Sequence, residues 1–266
     1  MRQNKSALAR DTGVSRSALY YIPKQIQKDW LTKQMIEEAL HDHPSYGHKR
    51  LARHLSINKK RILRVMKIFG IKPYRRTAKK SFVSKPKDSL YPNYLIHESP
   101  GGIGDIWASD FTYIKYHGYW VYVATIIDVY SREIIGVSVL TTHNVQLVMN
   151  ALVSAIHHRP PPRIIHSDQG SEYASRDYTS LIARVGIIQS MSRPGCPWEN
   201  GYQESFYKGF KLELGDPNRF DTLGELVAEI YSTIHYYNTN RIHTALSMSP
   251  REFVQRESSL YNYPIE

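Results

Sequence analysis

Three carboxylates occupy positions suited to chemistry on a phosphate: Asp110 in "WASDFTYI", Asp168 in "IIHSDQGSEY" and Glu204 in "ENGYQESFYK". Asp110 falls inside a strand-like pattern, Asp168 follows a short apolar run, and Glu204 lies in a helical pattern. In a mixed sheet the strands carrying the two aspartates can be neighbours, although 58 positions separate them. Carboxylates held close together repel, and each raises the other's pKa unless a cation intervenes. Magnesium prefers such hard oxygen donors, often one or two carboxylates with water and phosphate oxygens. Two ions about 3.5–4 Å apart can serve both the attacking and the leaving oxygen of a phosphodiester displacement. A purely structural set of acids is the competing reading.

The elements that must position these residues are legible around them. "DIWASDFTYIKY", "YWVYVATIIDVY" and "EIIGVSVL" read as three antiparallel strands, joined by a His-Gly turn at 117–118 and a polar turn at 130–132. "NVQLVMNALVSAIHH" reads as a helix, "PPPRIIHSD" as a short buried strand, "SEYASRDYTSLIARVG" as a helix and "IIQS" as a last strand. "ENGYQESFYKGFKLEL" and "TLGELVAEIYSTIHYYN" supply two more helices. The fold class is α/β: a mixed five-stranded sheet, three strands antiparallel and then two parallel, with helices on both faces. Along a helix seven steps return to within about 20° of one face, roughly 10.5 Å further on. Lys208 and Lys211 therefore share the side of Glu204, with Asn200 one turn before it. An i,i+4 ion pair with Glu204 is the plainer role for these lysines.

Charge divides the chain. Residues 1–90 carry 22 Lys and Arg against 6 Asp and Glu, whereas residues 91–266 carry 13 against 18. The total is +11, with a pI near 9.5. The first part suits phosphates, whose neutralisation releases counterions, although a solvated basic face has the same composition. "TKQMIEEALHDHP", "YGHKRLARHL" and "INKKRILRVMKIFG" predict three helices, the last with Asn58 as N-cap and Gly70 as stop. In that helix Ile62, Val65, Met66 and Phe69 share a face, and Lys59, Lys60, Arg64 and Lys67 fill much of the remainder. "LARDTGVSRSALYYI" nearer the start resembles half of a helix-turn-helix. The expected organisation is a helical DNA-binding region over 1–75, a basic linker over 76–100, a core over 101–240 and a tail over 241–266. Lys49 and Arg50, and then Arg75, Arg76, Lys79 and Lys80 at the linker, extend the candidate DNA contacts. A single cysteine, Cys196, excludes an internal disulfide and a multi-cysteine zinc site. With no secretory signal and no apolar run near 20 residues, a cytoplasmic, nucleoid-associated location is expected.

"WASDFTYI", "IIHSDQGSEY" and "GCPWENGYQESFYKGFKLEL" resemble the DDE transposases of bacterial insertion sequences, the OrfB type of insertion sequence family three. The 35 residues between Asp168 and Glu204, and Lys211 seven positions after the glutamate, match the family pattern. "YYNTNRIHTALSMSPREF" resembles its carboxy-terminal signature, and "SYGHKRLARHLSINKKRILRVMKIFGIKP" its helix-turn-helix. The resemblance implies a retroviral-integrase, RNase H-like core in which Asp110, Asp168 and Glu204 are catalytic and hold two Mg2+ ions, with Mn2+ as a substitute. It implies hydrolysis at the element's end to free a 3′-hydroxyl, followed by strand transfer. Its partners would be terminal inverted repeats and target DNA, other copies of the chain, and an upstream OrfA product or an OrfA–OrfB fusion.

Other residues carry weaker signals. Asp128 is expected to serve a turn, paired locally with Arg132, with metal binding as the alternative. Glu172 is expected at a helix start, where an acid suits the dipole. His166 is a candidate neighbour of the site or a satisfied core histidine. His41 and His43 read as a helix end, and Cys196 as a loop residue. Twenty tyrosines raise a covalent tyrosine recombinase, but no Arg-His-Arg-Tyr order supports it. The rival functions are a non-enzymatic DNA-binding regulator and a structure-selective nuclease on the same fold.

Overall fold

The computed structural model describes residues 5–15, 17–18, 24–75 and 91–261. The chain divides into two compact units, residues 1–73 and 74–266.

In the first unit four helices are described: α1 (Lys5–Thr12), α2 (Lys24–Asp42), α3 (His48–His54) and α4 (Lys59–Ile68). α2 begins eight residues before the predicted start, because "KQIQKDWL" has no breaker after Pro23. The ends of α4 follow the expected chemistry. Asn58 Oδ1 accepts the amide of Lys60 at 2.8 Å. At the other end Gly70, with φ near +65°, turns the chain so that the Ile71 amide reaches Met66 O. Ile62, Val65 and Met66 are buried with Leu51, Ile36 and Tyr46, so the apolar stripe forms this unit's core.

The second unit is built on one sheet of five strands in the order β3-β2-β1-β4-β5. The strands are β1 (Ile106–Tyr116), β2 (Tyr119–Asp128), β3 (Ile134–Leu140), β4 (Ile164–Ser167) and β5 (Ile188–Met191). β1, β2 and β3 are antiparallel neighbours, and β4 and β5 run parallel to β1, as expected. The β1–β2 hairpin turns through His117 and Gly118, with φ near +40° and +92°. Two successive left-handed residues match the twist of the flanking strands.

Alternation along the strands separates two cores. On one face Ile106, Ala108, Ile114, Val121, Val123 and Ile127 pack with α7 (Gly201–Leu214) and α8 (Leu223–Thr239). On the other, Trp107, Ala124, Ile126 and Ile165 pack with α5 (Val145–His158) and α6 (Arg176–Arg184). Gly136 on β3 lets α5 approach so closely that a Cβ there would collide with Ala151 O. A last helix, α9 (Pro250–Tyr261), occupies the region expected to be a tail. It buries Phe253 and Val254, and Arg251 pairs with the buried Glu133 at 2.8 Å.

Candidate active site

β1 is eleven residues long and β4 only four, and this inequality creates the site. Their pairing runs Ile106↔Ile164, Trp107↔Ile165, Ala108↔His166 and then stops. Two residues further along each chain come Asp110 and Asp168, so the register carries both acids to one level where β1 has lost its β4 neighbour. Phe111 donates its amide to Asp110 Oδ1 at 2.8 Å, and Gly170 donates to Asp168 Oδ1 at 2.9 Å.

α7 brings the third acid. Asn200, Gln203 and Tyr207 face β1 from successive turns. Asn200 Nδ2 donates to Ser109 O at 3.2 Å, Gln203 Nε2 to Ala108 O at 2.6 Å, and Tyr207 Oη to Asp110 O at 2.6 Å. Gln203 also bonds Thr125 on β2 through its main-chain O at 3.0 Å and its hydroxyl at 3.0 Å. These bonds fix α7 in rotation and height against β1, and Glu204 projects from the exposed side beside them. Asn200 Oδ1 is buried without a hydrogen-bond partner among the described residues.

The electrostatics link Asp110 to both of the other acids. Burial pushes the Asp110 carboxyl up to about 8, Asp168's charge adds to the rise, and Glu204's charge adds less. The Phe111 amide and Lys211 oppose it. Asp168 is also raised, by desolvation against the surrounding chain and by Glu172, although its side chain is exposed at the surface. Asp168 and Glu204 thus both act on the Asp110 carboxyl, Asp168 the more strongly. Among the described residues no three His, Cys, Asp or Glu side chains are drawn tightly enough together to hold a metal ion. The donor set nonetheless fits a hard cation: carboxylate oxygens only, with mutual repulsion that a divalent ion would relieve.

Lys208 is exposed, and no ion pair joins it to Glu204 among the described residues. The Lys211 ammonium lies over the Tyr113 ring, 5.2 Å from its centroid. His166 is buried, with Nδ1 2.9 Å from Ser190 Oγ and Nε2 without a partner among the described residues. Burial holds its pKa down at about 4, so it is a neutral ring under the sheet end.

Two expectations change. Asp128 serves a turn, but its partners are the Ser131 amide and hydroxyl and the Gly104 amide, at 2.6, 2.8 and 2.6 Å. Arg132 instead bonds Val129 O and lies over the Tyr202 ring at 4.2 Å. Glu172 is not at a helix start, because Ser175 caps α6 by accepting the Tyr178 amide. It is buried, and its carboxylate meets His143 Nε2 at 2.9 Å.

In the first unit Lys49, Lys59, Lys60 and Lys67 are exposed and Arg50 is half-buried, 5.9 Å from the Tyr46 ring centroid. Arg64 is engaged within the unit, its two terminal nitrogens donating to Asp29 at 2.7 and 2.5 Å. Arg75 is exposed, and Arg76, Lys79 and Lys80 lie outside the described residues.

Two family models described as "Integrase core domain" match residues 102–197 and 185–250, together spanning the sheet and the helix of Glu204. The transposase for insertion sequence element IS904 of Lactococcus lactis is 34% identical over 247 residues, covering 88% of this chain and 97% of that protein. This chain belongs to the insertion-sequence transposases of the IS3 family. The transposase InsF of insertion sequence IS3 in Escherichia coli is 35% identical over 151 residues, 55% of this chain and 52% of that protein. An uncharacterised 31 kDa protein of insertion element IS600 from Shigella sonnei is 31% identical over 92% of this chain and 96% of its own length. In fold the transposase is similar to a chain of the simian T-cell lymphotropic virus intasome, at TM-score 0.51 and 17% identity over 81% of this chain and 73% of that one. The transposase is thus an integrase-like polynucleotidyl transferase of DNA transposition.

Proposed function

We propose that Asp110, Asp168 and Glu204 are the catalytic acids of this transposase and hold two divalent ions, magnesium or in its place manganese. Such ions would polarise the phosphodiester and lower the pKa of an attacking hydroxyl. The carrying observation is the shared level of Asp110 and Asp168 where β1 outruns β4, with the Asp110 carboxyl pushed to about 8. The protein's own part is positional. Phe111 and Gly170 amides orient one oxygen of each aspartate. Asn200, Gln203 and Tyr207 hold the helix of Glu204 against the same strand. Lys208 and Lys211 lie where they would meet phosphates of the reacting strand. The reaction runs in two steps: water opens a phosphodiester at the element's end, and the freed 3′-hydroxyl attacks a phosphodiester of the target. The described helices of residues 24–68, with Lys49, Lys59, Lys60 and Lys67, would engage the terminal repeats. Copies of the chain would bridge two ends, with an upstream OrfA product as a further partner.

The test is an end-labelled strand-transfer assay on the element's own ends with magnesium or manganese. Asp110→Asn, Asp168→Asn and Glu204→Gln are each expected to lower both steps by at least about a thousandfold while DNA binding persists. Cleavage without joining by the unaltered chain would make it a nuclease, and binding without either reaction a regulator. If Asp128→Asn, in folded protein, abolishes the reaction while Asp110→Asn does not, the first acid is misassigned.

A further inference from the structure

Past Asp110, β1 carries aromatic side chains on a face that α5 and α6 leave uncovered. Tyr113 is 55% exposed and Trp120, across the hairpin on β2, is 43% exposed. In the β1–β2 register Tyr113 pairs with Tyr122 and Lys115 with Trp120, so Tyr113 and Trp120 are diagonal neighbours on one face. Their centroids are 5.0 Å apart with the rings at 86°. The ammonium of Lys211, from the helix of Glu204, lies 5.2 Å from the centre of the Tyr113 ring, and exposed Lys115 stands on the same face.

Large rings left in water on a rigid hairpin are costly unless a partner covers them. Two perpendicular rings edged by cations suit one partner chemistry well: a flat heterocycle attached to a phosphate. A base laid on one ring meets the other at its border, and the lysines face the adjoining phosphates. Tyr113 lies three residues beyond Asp110 on β1, about 10 Å along the strand, and its side chain leaves the opposite face. Lys211 links the two at the edge of β1 that β4 leaves open: it lies over the Tyr113 ring and its charge acts on the Asp110 carboxyl.

We infer that Tyr113 and Trp120, with Lys211, form a stacking platform for an unpaired DNA base close to the reacting phosphate, on a strand that rounds the open edge of β1. The platform would hold the strand open beside the acids, so that the phosphate reaches them without a paired complement in the way. The inference rests on the phosphodiester reading for its purpose, but binding alone can test it. The probes are a labelled 15-nucleotide oligothymidine and an abasic strand of equal length, titrated into the full chain by fluorescence anisotropy. Wild type should prefer oligothymidine, and Trp120→Ala or Tyr113→Ala should weaken its binding roughly 5- to 100-fold, leaving the abasic strand little changed. Trp120→Phe should retain the preference. Trp120→Leu keeps apolar bulk without a ring and should lose it while remaining folded by circular dichroism. Photo-crosslinking to 5-iodouracil should label the 113 or 120 peptide. Equal binding of both strands by wild type, or undiminished preference in the alanine variants, would overturn the platform. So would loss of self-association in sedimentation with strand affinity intact, which would assign the face to a second copy. Magnesium-dependent cleavage, assayed on the same preparations, reports separately on the phosphodiester reading: wild type that stacks bases and never cleaves would sink that reading alone.

Discussion

Asp110 bears most of the electrostatic strain of the site. Its raised pKa means that the folded, metal-free protein keeps a proton that the unfolded chain has already released. Stability from this group is therefore full below its ordinary carboxylate pKa and declines as pH rises through about 8. In chelator, Asp110→Asn should thus gain urea-unfolding midpoint relative to wild type between pH 5 and pH 8, with the gap widening as pH rises. Adding magnesium at pH 8 should raise the wild-type midpoint and leave that of Asp110→Asn almost unmoved. A gap that shrinks toward pH 8 would show that Asp110 is not held neutral. The type and spacing of the three acids are readable from the chain, as are Lys211 and Asn200. Gln203 and Tyr207 do not stand out there, although both lie within three residues of Glu204 on the same helix. Their value depends on which strand carbonyls lie opposite, and a helical pattern does not contain that information.

At the scale of elements, the decisive pair is α7 against β1. Gln203 is fully buried and joins Ala108 on β1 to Thr125 on β2. Gln203→Ala removes its bonds to two carbonyls of the β1–β2 ladder and its bond to the Thr125 hydroxyl, each worth about 0.5–1.5 kcal/mol. The expected result is a loss of about 2–4 kcal/mol in denaturant unfolding. Tyr207→Phe removes the hydroxyl that bonds Asp110 O and the Thr125 hydroxyl. It should cost about 1–2 kcal/mol and lower the cleavage rate more than DNA affinity. Unchanged rates in Tyr207→Phe would show that this hydroxyl does not position the site. The adjacency of β1, β2 and β3 is legible because their connections are short, and most helices because their apolar spacing is regular. α9 escapes the pattern although "SPREF" carries a start signal, Ser249 followed by Pro250 and Glu252. Sequence alone starts α6 too early, at Ser171, because the burial of Glu172 and Tyr173 that holds the first residues out of the helix comes from distant partners.

For the whole molecule, charge separation predicts how binding responds to salt. The exposed lysines of α4 belong to a unit whose core is complete without them. Replacing Lys59, Lys60 and Lys67 together by Ala should weaken binding to a duplex and flatten the plot of log affinity against log salt. The slope should fall by up to about 2.7, near 0.9 for each phosphate no longer neutralised. A slope unchanged in the triple variant would remove α4 from the interface. Arg64→Ala should behave differently, lowering the unfolding temperature of the first unit because it takes the paired guanidinium from buried Asp29 and leaves the Gln25 amide as its donor. Sequence groups Arg64 with the other cations, since periodicity places it beside them but does not reveal an acid 35 positions earlier.

The sequence by itself determined most of the elements, the uneven charge and the choice of three candidate acids, because each rests on local periodicity, composition or spacing. The tertiary structure decided that Asp110 and Asp168 stand at one level of neighbouring strands, and what surrounds them. It set β4 short of β1, tied α7 to the β1 carbonyls, drew Glu172 to His143 and left Tyr113 and Trp120 uncovered. Each of these depends on contacts between residues far apart in the chain, and no pattern along one segment records the partner that another segment will supply.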